Sequence, residues 1–485
     1  MMKKTANKIR VISGLIALSF PAFALSVQAS ELELYVDTQT KQIFAEPGEG
    51  RVKLGVFKPV GDSPAPQQQQ ATTATKEEIL AEVDKKIQSS AKAAGSGFRL
   101  RGYVQGRYSV PVSGDKGINL WTDRSVGDSN SLGEPADNFL IRRGRLVFSG
   151  DIGDRFSYYV QPDFSSSAGT TGNVLQLRDA YGDISVDKEK VHRFRVGQSK
   201  VPYGFENLQS SQNRIALDRA DAMNSAVRDE RDTGVFYYYT PVEVQQLFSE
   251  ISKAGLKHSG NYGMFGFGLY NGQGSNQRDT NDGLHAVSRF TYPLKTDSGQ
   301  FYEFGIQGYS GKFVPRTGGF RNSATGASVT IANPANDPRL RDGFDDQRVG
   351  ITAVMYPQPF GLQAEWNWGK SPGLDTNTRL IDEVNINGGY LQAMYMHKTQ
   401  ENGAFIPFVR WQYFDGANKA ETNSPMNNVR DWEIGVEWQM NKEVELTAVY
   451  HMMDRNNLVT GNRAGRADNA NFTSDALRLQ VQYNI

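Results

Sequence analysis

Residues 138–164 read "NFLIRRGRLVFSGDIGDRFSYYVQPDF". Three arginines, Arg142, Arg143 and Arg145, stand inside an apolar run that alternates like a strand. A guanidinium stays charged at any physiological pH, and its planar fork matches the oxygens of a carboxylate or phosphate. The chemistry on offer is recognition of anions, not proton transfer. A dry core would not hold these groups unpaired, because desolvating an ionised side chain is costly. Arginines recur at alternate positions elsewhere: Arg99, Arg101 and Arg107 in "FRLRGYVQGRYSV", and Arg193 and Arg195 in "HRFRVG".

Other chemistries find little support. The five histidines, His192, His258, His285, His397 and His451, have no metal-binding spacing such as H-x-x-x-H. No local pattern marks a serine–histidine pair, and several histidines fall at wall positions, where a structural or lumen-lining role is expected. The acidic groups "DTNDG" (279–283) and "DGFDD" (342–346) lack the spacing of an EF-hand and are expected to be solvated loop charge. Lys+Arg and Asp+Glu number 53 each, and basic residues are spread over separate strands with no nucleic-acid module. No catalytic residue, cofactor, metal or nucleic-acid partner follows.

The elements that must position the arginines have a period of two. In 98–110, Phe98, Leu100, Val104 and Tyr108 share one face, while Arg99, Arg101, Tyr103, Gln105 and Arg107 share the other. In "VRDWEIGVEWQM", Trp432, Ile434, Val436, Trp438 and Met440 oppose Asp431, Glu433, Glu437 and Gln439. The final "DALRLQVQYNI" behaves likewise. One greasy, aromatic face and one charged face suit a strand between lipid and a water-filled lumen. Mean hydropathy is -0.52, and no apolar run approaches the roughly 20 residues of a spanning helix. A barrel escapes that test.

The connections alternate short and long. Tight turns fall near 151–154, 187–190, 293–300, 357–360, 399–402 and 441–443. Long Gly/Asn/Asp-rich links fall at 111–137, 201–231, 314–343, 371–384, 416–428 and 455–472. This rhythm predicts sixteen antiparallel strands, the even count returning both ends to one side. Within 232–258, "TGVFYYYTP" and "FSEISKAGLKHSG" compete for one strand, with "VEVQQL" as a small insertion between them.

The basic, then apolar start ending in "VQA" reads as a signal peptide over 1–29, cleaved before Ser30. Residues 30–75 read as a short periplasmic β segment and a Pro/Gln/Thr-rich linker. Residues 76–96 hold a helix with a weak heptad seam at Leu80, Val83 and Ile87, suited equally to a solvated spacer and a small coiled coil. The barrel occupies 97–485. Cysteine is absent, which removes both a lipid anchor on cysteine and disulfides.

Parity places Arg99, Arg101, Arg107, Arg143, Arg145, Arg193 and Arg195 on the lumen face of early strands. It places Glu365, Asp431, Glu433, Glu437 and Glu445 on the lumen face of late ones. Arg142 has the wrong parity: it must snorkel, meet another subunit, or mark a bulge. Walls of opposite sign would set up a transverse field; local pairing of acids with arginines would leave the lumen almost neutral.

The chain resembles the phosphate-selective porin O and P family. The resemblance rests on "FLIRRGRLVFSGDI" (139–152), "LRDAYGDI" (177–184), "FRVGQSKVPYGFENLQSSQ" (194–212) and "RDTGVFYY" (231–238). It implies a sixteen-stranded homotrimeric channel in the outer membrane, with lipid and small anions such as phosphate as partners. It implies that Arg142 and Arg143 belong to a line of arginines that draws anions inward. It also implies that the segment after "PYG", Glu206 to Arg231, folds inward and narrows the pore. That segment carries Asn207, Ser210, Ser211, Arg214, Asp218, Arg219, Asp221, Arg228, Asp229 and Glu230. Phosphate-binding members carry a lysine after the glutamate that follows Pro-Phe-Gly, and this chain has Asn207. The expected function is passive diffusion of small anions. A weakly selective general porin, and a barrel serving as sheath or scaffold for a partner protein, stand as alternatives.

Overall fold

The computed structural model describes residues 32–37, 43–44, 46, 48, 51–57, 97–114, 120, 138–168, 171–321, 327–457 and 470–485. The signal peptide, the 60–75 linker and the 76–94 helix expected from the sequence lie outside the described residues. In the N-terminal part, Leu32–Asp37 pairs with both Ile43–Phe44 and Arg51–Phe57 in a small antiparallel sheet.

The rest is a closed antiparallel barrel. Its sixteen strands are β1 (Arg99–Gly114), β2 (Asn138–Ile152), β3 (Phe156–Ala168), β4 (Thr171–Ser185), β5 (His192–Lys200), β6 (Arg231–Tyr239), β7 (Phe265–Tyr270), β8 (His285–Lys295), β9 (Phe301–Phe313), β10 (Phe344–Met355), β11 (Phe360–Asp375), β12 (Leu380–Tyr395, continued by His397–Lys398), β13 (Ala404–Ala417), β14 (Met426–Gln439), β15 (Val444–Asn457) and β16 (Ala470–Asn484). Closure comes from β16 on β1, with Gln480 opposite Arg107 and Leu479 opposite Tyr108. A closed sheet has no edge, so backbone groups find partners without water, as a hydrocarbon surrounding requires.

The two faces follow the alternation. Phe139, Leu175, Ile434 and Tyr483 are exposed on the outside, whereas Tyr103, Gln105, Arg107, Asp431, Glu433, Glu437 and Arg478 are buried inside. Arg142 marks a bulge. Gln105 pairs with Arg143 and the next residue, Gly106, pairs with Ile141, so Arg142 has no partner opposite it. The extra residue lets two consecutive arginines turn inward while Phe139 and Ile141 keep the outer face.

Both barrel termini lie at one end, and that end carries the tight turns 153–155, 186–191, 296–300, 356–359, 399–403 and 440–443. Three expectations need correction. Residues 371–384 are no long link: β11 and β12 pair out to Asp375 opposite Leu380, leaving a turn over 376–379. In "DGFDD", Phe344, Asp345 and Asp346 open β10. Asp346 is buried and paired with Lys419, and Asp345 meets Lys370, so this is no patch of solvated loop charge. In 232–258 the strand is "RDTGVFYYY"; its rival becomes part of a helix, Val242–Lys253, which also absorbs the presumed insertion.

That helix crosses the termini end of the lumen. Val244, Phe248 and Ile251 pack with Phe301, Tyr356, Met394, Ile406 and Phe408 of the wall and with Phe205, Ile215 and Leu217 of the segment after β5. Gly255 ends it in a left-handed conformation (φ 74°). The Leu256 amide donates to Ile251 O and the Gly255 amide to Ser252 O, a glycine-terminated helix end. Charges pin the rest: Lys295 meets Glu250 at 2.9 Å, and Lys257 meets Glu437 at 2.7 Å and Glu445 at 2.8 Å. An apolar core thus joins the helix to the β9–β15 side of this mouth, each large side chain contributing about 1.5–3 kcal/mol.

Two outcomes follow. With no native cysteine, single cysteines at Asn336 and Glu401 report orientation. An impermeant thiol reagent on intact cells should label Asn336→Cys and spare Glu401→Cys; the reverse would invert the barrel. Phe248→Ala should cost about 3–5 kcal/mol locally and loosen the helix. Trypsin should then cleave at Lys253 in a barrel that still runs as a folded species on a gel, while the parent protein resists; equal resistance would show that the cluster does not hold the helix.

Candidate anion pathway in the barrel lumen

Residues 201–230, between β5 and β6, fold into the barrel. The turn is built on Pro202-Tyr203-Gly204. Gly204 takes φ 76°, and a Cβ there would meet a Glu365 carboxylate oxygen at 3.1 Å. Its backbone opens the short helix Phe205–Leu208, whose first amides donate to Glu365 of β11; the Glu206 amide does so at 2.8 Å. The other end of that helix is held by Lys200, whose ammonium donates to Leu208 O and Gln209 O. A second short helix, Asp221–Asn224, returns the chain toward β6.

Asp218 sits at the centre of this segment. Arg107 reaches it at 2.8 Å, Arg142 at 3.5 Å and Arg143 at 3.6 Å, and Arg478 of β16 also bonds it. Four guanidinium groups from β1, β2 and β16 therefore share one carboxylate. Arg107 also donates to Gln480 and to Leu217 O, and Arg143 to Gln105. The neighbouring arginines have partners too. Arg145 bonds Asp163 at 2.7 Å and donates to Tyr103 and Ser211. Arg195 grips Asp183 through two bonds, and Arg193 lies 3.5 Å from the same carboxylate. Arg99 meets Asp151 at 3.1 Å near the mouth. Arg101 is exposed, with its guanidinium 5.9 Å from the centre of the Tyr159 ring.

The inward segment pairs within itself and with the wall. Glu230 takes Arg214, Arg219 and Arg231, and Arg231 also meets Asp179 at 2.9 Å. Asp229 lies near Arg178 and Arg228. Asp229 and Glu230 both adopt positive φ, 55° and 67°, a conformation unfavourable for residues with a Cβ. Toward the far wall the balance reverses. Glu206 meets Arg410 at 3.0 Å, with Glu433 at 3.8 Å from the same arginine. Asp221 meets Arg455, which also binds Asp431. Among the described residues Glu365 has no ion pair; it is held by amide and hydroxyl donors.

Asn207, at the expected lysine position, is buried. Its amide nitrogen donates to Met223 O and its oxygen accepts from Arg219, tying the two short helices together. Ser211 shares hydrogen bonds with Tyr103 and Arg145, and Ser210 begins the turn that follows the first helix. The acids expected on late strands all face inward, but Glu437 and Glu445 serve the mouth segment through Lys257. Sequence reasoning did not single out Lys200, Asp163, Asp179 or Asp183. The three aspartates sit at lumen parity in strands beside arginine-bearing strands, which is the signal that could have found them; Lys200 has the opposite parity to Arg193 and Arg195, and alternation does not mark it.

One pair has the outward form of a nucleophile and its base. Ser252 Oγ lies 2.6 Å from His258 Nε2. The Gly260 amide donates to His258 Nδ1 at 3.0 Å, so the ring's own proton sits on Nε2 and is given to the serine. Burial also pushes this imidazole down to about 4. A serine nucleophile needs the opposite arrangement.

No curated protein matches the chain by sequence. Solved structures are similar to it at low identity. The outer membrane channel DcaP of Acinetobacter baumannii is 16% identical with a TM-score of 0.45, the alignment covering 81% of this chain and 98% of that one. An anion-selective porin from Comamonas acidovorans is 11% identical at TM-score 0.46, covering 80% and 100%. Salmonella typhi OmpF is 13% identical at TM-score 0.48, covering 80% and 97%. The sequence pattern of phosphate-selective porin O and P matches residues 117–485. With that match over the bulk of a closed sixteen-stranded barrel, the chain belongs to the phosphate-selective porin O and P family and is an outer-membrane porin.

Proposed function

We propose that this porin passes small anions, phosphate or other oxyanions among them, by passive diffusion along the β1–β6 side of its lumen. The observation that carries the reading is the imbalance of charge between the two sides. Four arginines share Asp218, two share Asp183, and further arginines crowd Glu230 and Asp229, whereas Arg410 and Arg455 each face two carboxylates. Pairing softens this field without cancelling it. Fixed guanidinium groups can replace part of an anion's hydration in a narrow passage. Asn207 supplies no ammonium, so the reading favours anion preference over a tight phosphate site. A weakly selective pore would need the two sides to balance. A sheath for a partner protein is disfavoured, because the chain's own segment 201–230 occupies the lumen. The proposal includes cleavage of the signal peptide before Ser30, a periplasmic termini end and assembly as a homotrimer.

Charge-reversing substitutions test the reading. Arg142→Glu with Arg143→Glu should move the zero-current potential in a chloride gradient toward cations. Asp218→Asn should move it toward anions, since four arginines lose their shared counter-charge. Both shifts should shrink in concentrated salt, because the screening length falls from about 30 Å at 0.01 M to about 3 Å at 1 M. Shifts absent at low salt in both variants would place the cluster off the conducting path.

A further inference from the structure

The termini end of the β1–β5 wall carries a slot that the ion pairs do not fill. One rung of the sheet runs Arg99, Ser149, Tyr159, Tyr181 across β1 to β4, each residue paired with the next. Ser149 is the small member, so the rung has a gap between the basic residues of β1 and the ring of Tyr159. A cavity of about 320 Å³ occupies that gap, with Arg101, Ser157 and Asp151 also on its lining.

The walls of the gap differ in chemistry. Tyr159 stacks on Tyr181 with centroids 5.2 Å apart and planes 6° from parallel. Tyr181 is backed by the Arg195 guanidinium at 3.7 Å, itself fixed on Asp183. One face of Tyr159 is thus held by a rigid stack, and the other looks across Ser149 toward Arg101. Among the described residues Arg101 has no ion pair or hydrogen bond beyond its approach to that ring. The Ser149 and Ser157 hydroxyls likewise have no side-chain hydrogen bond among the described residues.

Two strand spacings separate β1 from β3, about 9.6 Å. The Arg101 guanidinium now spans part of that width, 5.9 Å from the Tyr159 ring centre; bound by nothing else among the described residues, it can swing aside and let a flat ring stack on Tyr159 in its place. We propose that this slot binds planar aromatic carboxylates: the ring stacks on the open face of Tyr159, and the carboxylate meets the displaced Arg101 guanidinium and the serine hydroxyls, with Arg99, paired to Asp151, at its edge. The inference rests on the anion-passing reading and names a class of solute for it. A phosphate ion has the charge but nothing to stack, so the slot would favour aromatic over inorganic or saturated anions.

Block of chloride current in planar bilayers tests this, with benzoate and cyclohexanecarboxylate as probes of equal charge and similar size. Benzoate should half-block at a concentration about fivefold lower, the worth of one stacking contact. Tyr159→Leu should erase that ratio and Tyr159→Phe should keep it, while Arg101→Gln should weaken both carboxylates. Ser149→Phe, which fills the slot with the protein's own ring, should erase the ratio as well and serves if Tyr159→Leu does not insert. Equal block by both carboxylates in the parent protein, or a benzoate preference that survives Tyr159→Leu or Ser149→Phe, overturns the proposal. The zero-current potential recorded before either carboxylate is added separates the two readings: no anion preference there sinks the anion pathway itself.

Discussion

Asp218 binds the barrel to its contents. Arg107, Arg142, Arg143 and Arg478 project from three adjacent strands into a space that would repel them from one another if empty of acid. One carboxylate, carried in by the segment after β5, takes all four. Removing one partner of a buried pair typically costs about 3–5 kcal/mol, and here one partner serves four. The segment is fastened on its other flanks by Arg410 on Glu206, Arg455 on Asp221 and the Glu365 carboxylate on the first helix turn. Wall and inward segment thus specify one another: the wall supplies cations the lumen could not leave bare, and the segment supplies acids that could not be buried alone.

The same arrangement divides the lumen. Where arginines outnumber acids, along β1–β6, groups such as Arg101, Arg142 and Asp229 keep contact with solvent. Where the segment turns its apolar side, Phe205, Ile215 and Leu217 meet the helix of residues 242–253, and water is excluded. On the proposed reading, a passage confined to one side would keep a solute within a few ångströms of guanidinium groups, which a round, open bore would not do. On the same reading, narrowing and charge selection are consequences of one packing arrangement.

Much of this was legible in the sequence, for physical reasons that can be named. Period-two alternation fixes which face of a strand meets lipid, so the lumen parity of Glu433 and Arg478 could be read directly, and the short–long rhythm of the connections carried the strand count; the phase at Arg143 was open by one residue. The bulge at Arg142 was legible only as a set of alternatives, because parity fails there without saying how. The helix at 242–253 was misjudged although its signal was present: Val244, Leu247, Phe248 and Ile251 recur at helical spacing, and Gly255 follows as a stop. Competing apolar strand residues nearby masked it. Pairing was the least legible feature. That Asp218 would gather arginines from β1, β2 and β16 depends on where an irregular segment lies in three dimensions, and no local pattern encodes it. Asn207 marked a departure from the family, but its role as a bracket between two short helices needed the fold.

On the proposed reading, paired arginines still leave the β1–β6 side positive enough to select anions. The zero-current potential of single wild-type channels across a potassium chloride gradient measures this most directly. At low ionic strength the potential should have the sign of chloride permeation, and it should decline toward zero as salt rises and screening closes in. A potential near zero at every salt concentration, or one of the potassium sign, would contradict the account.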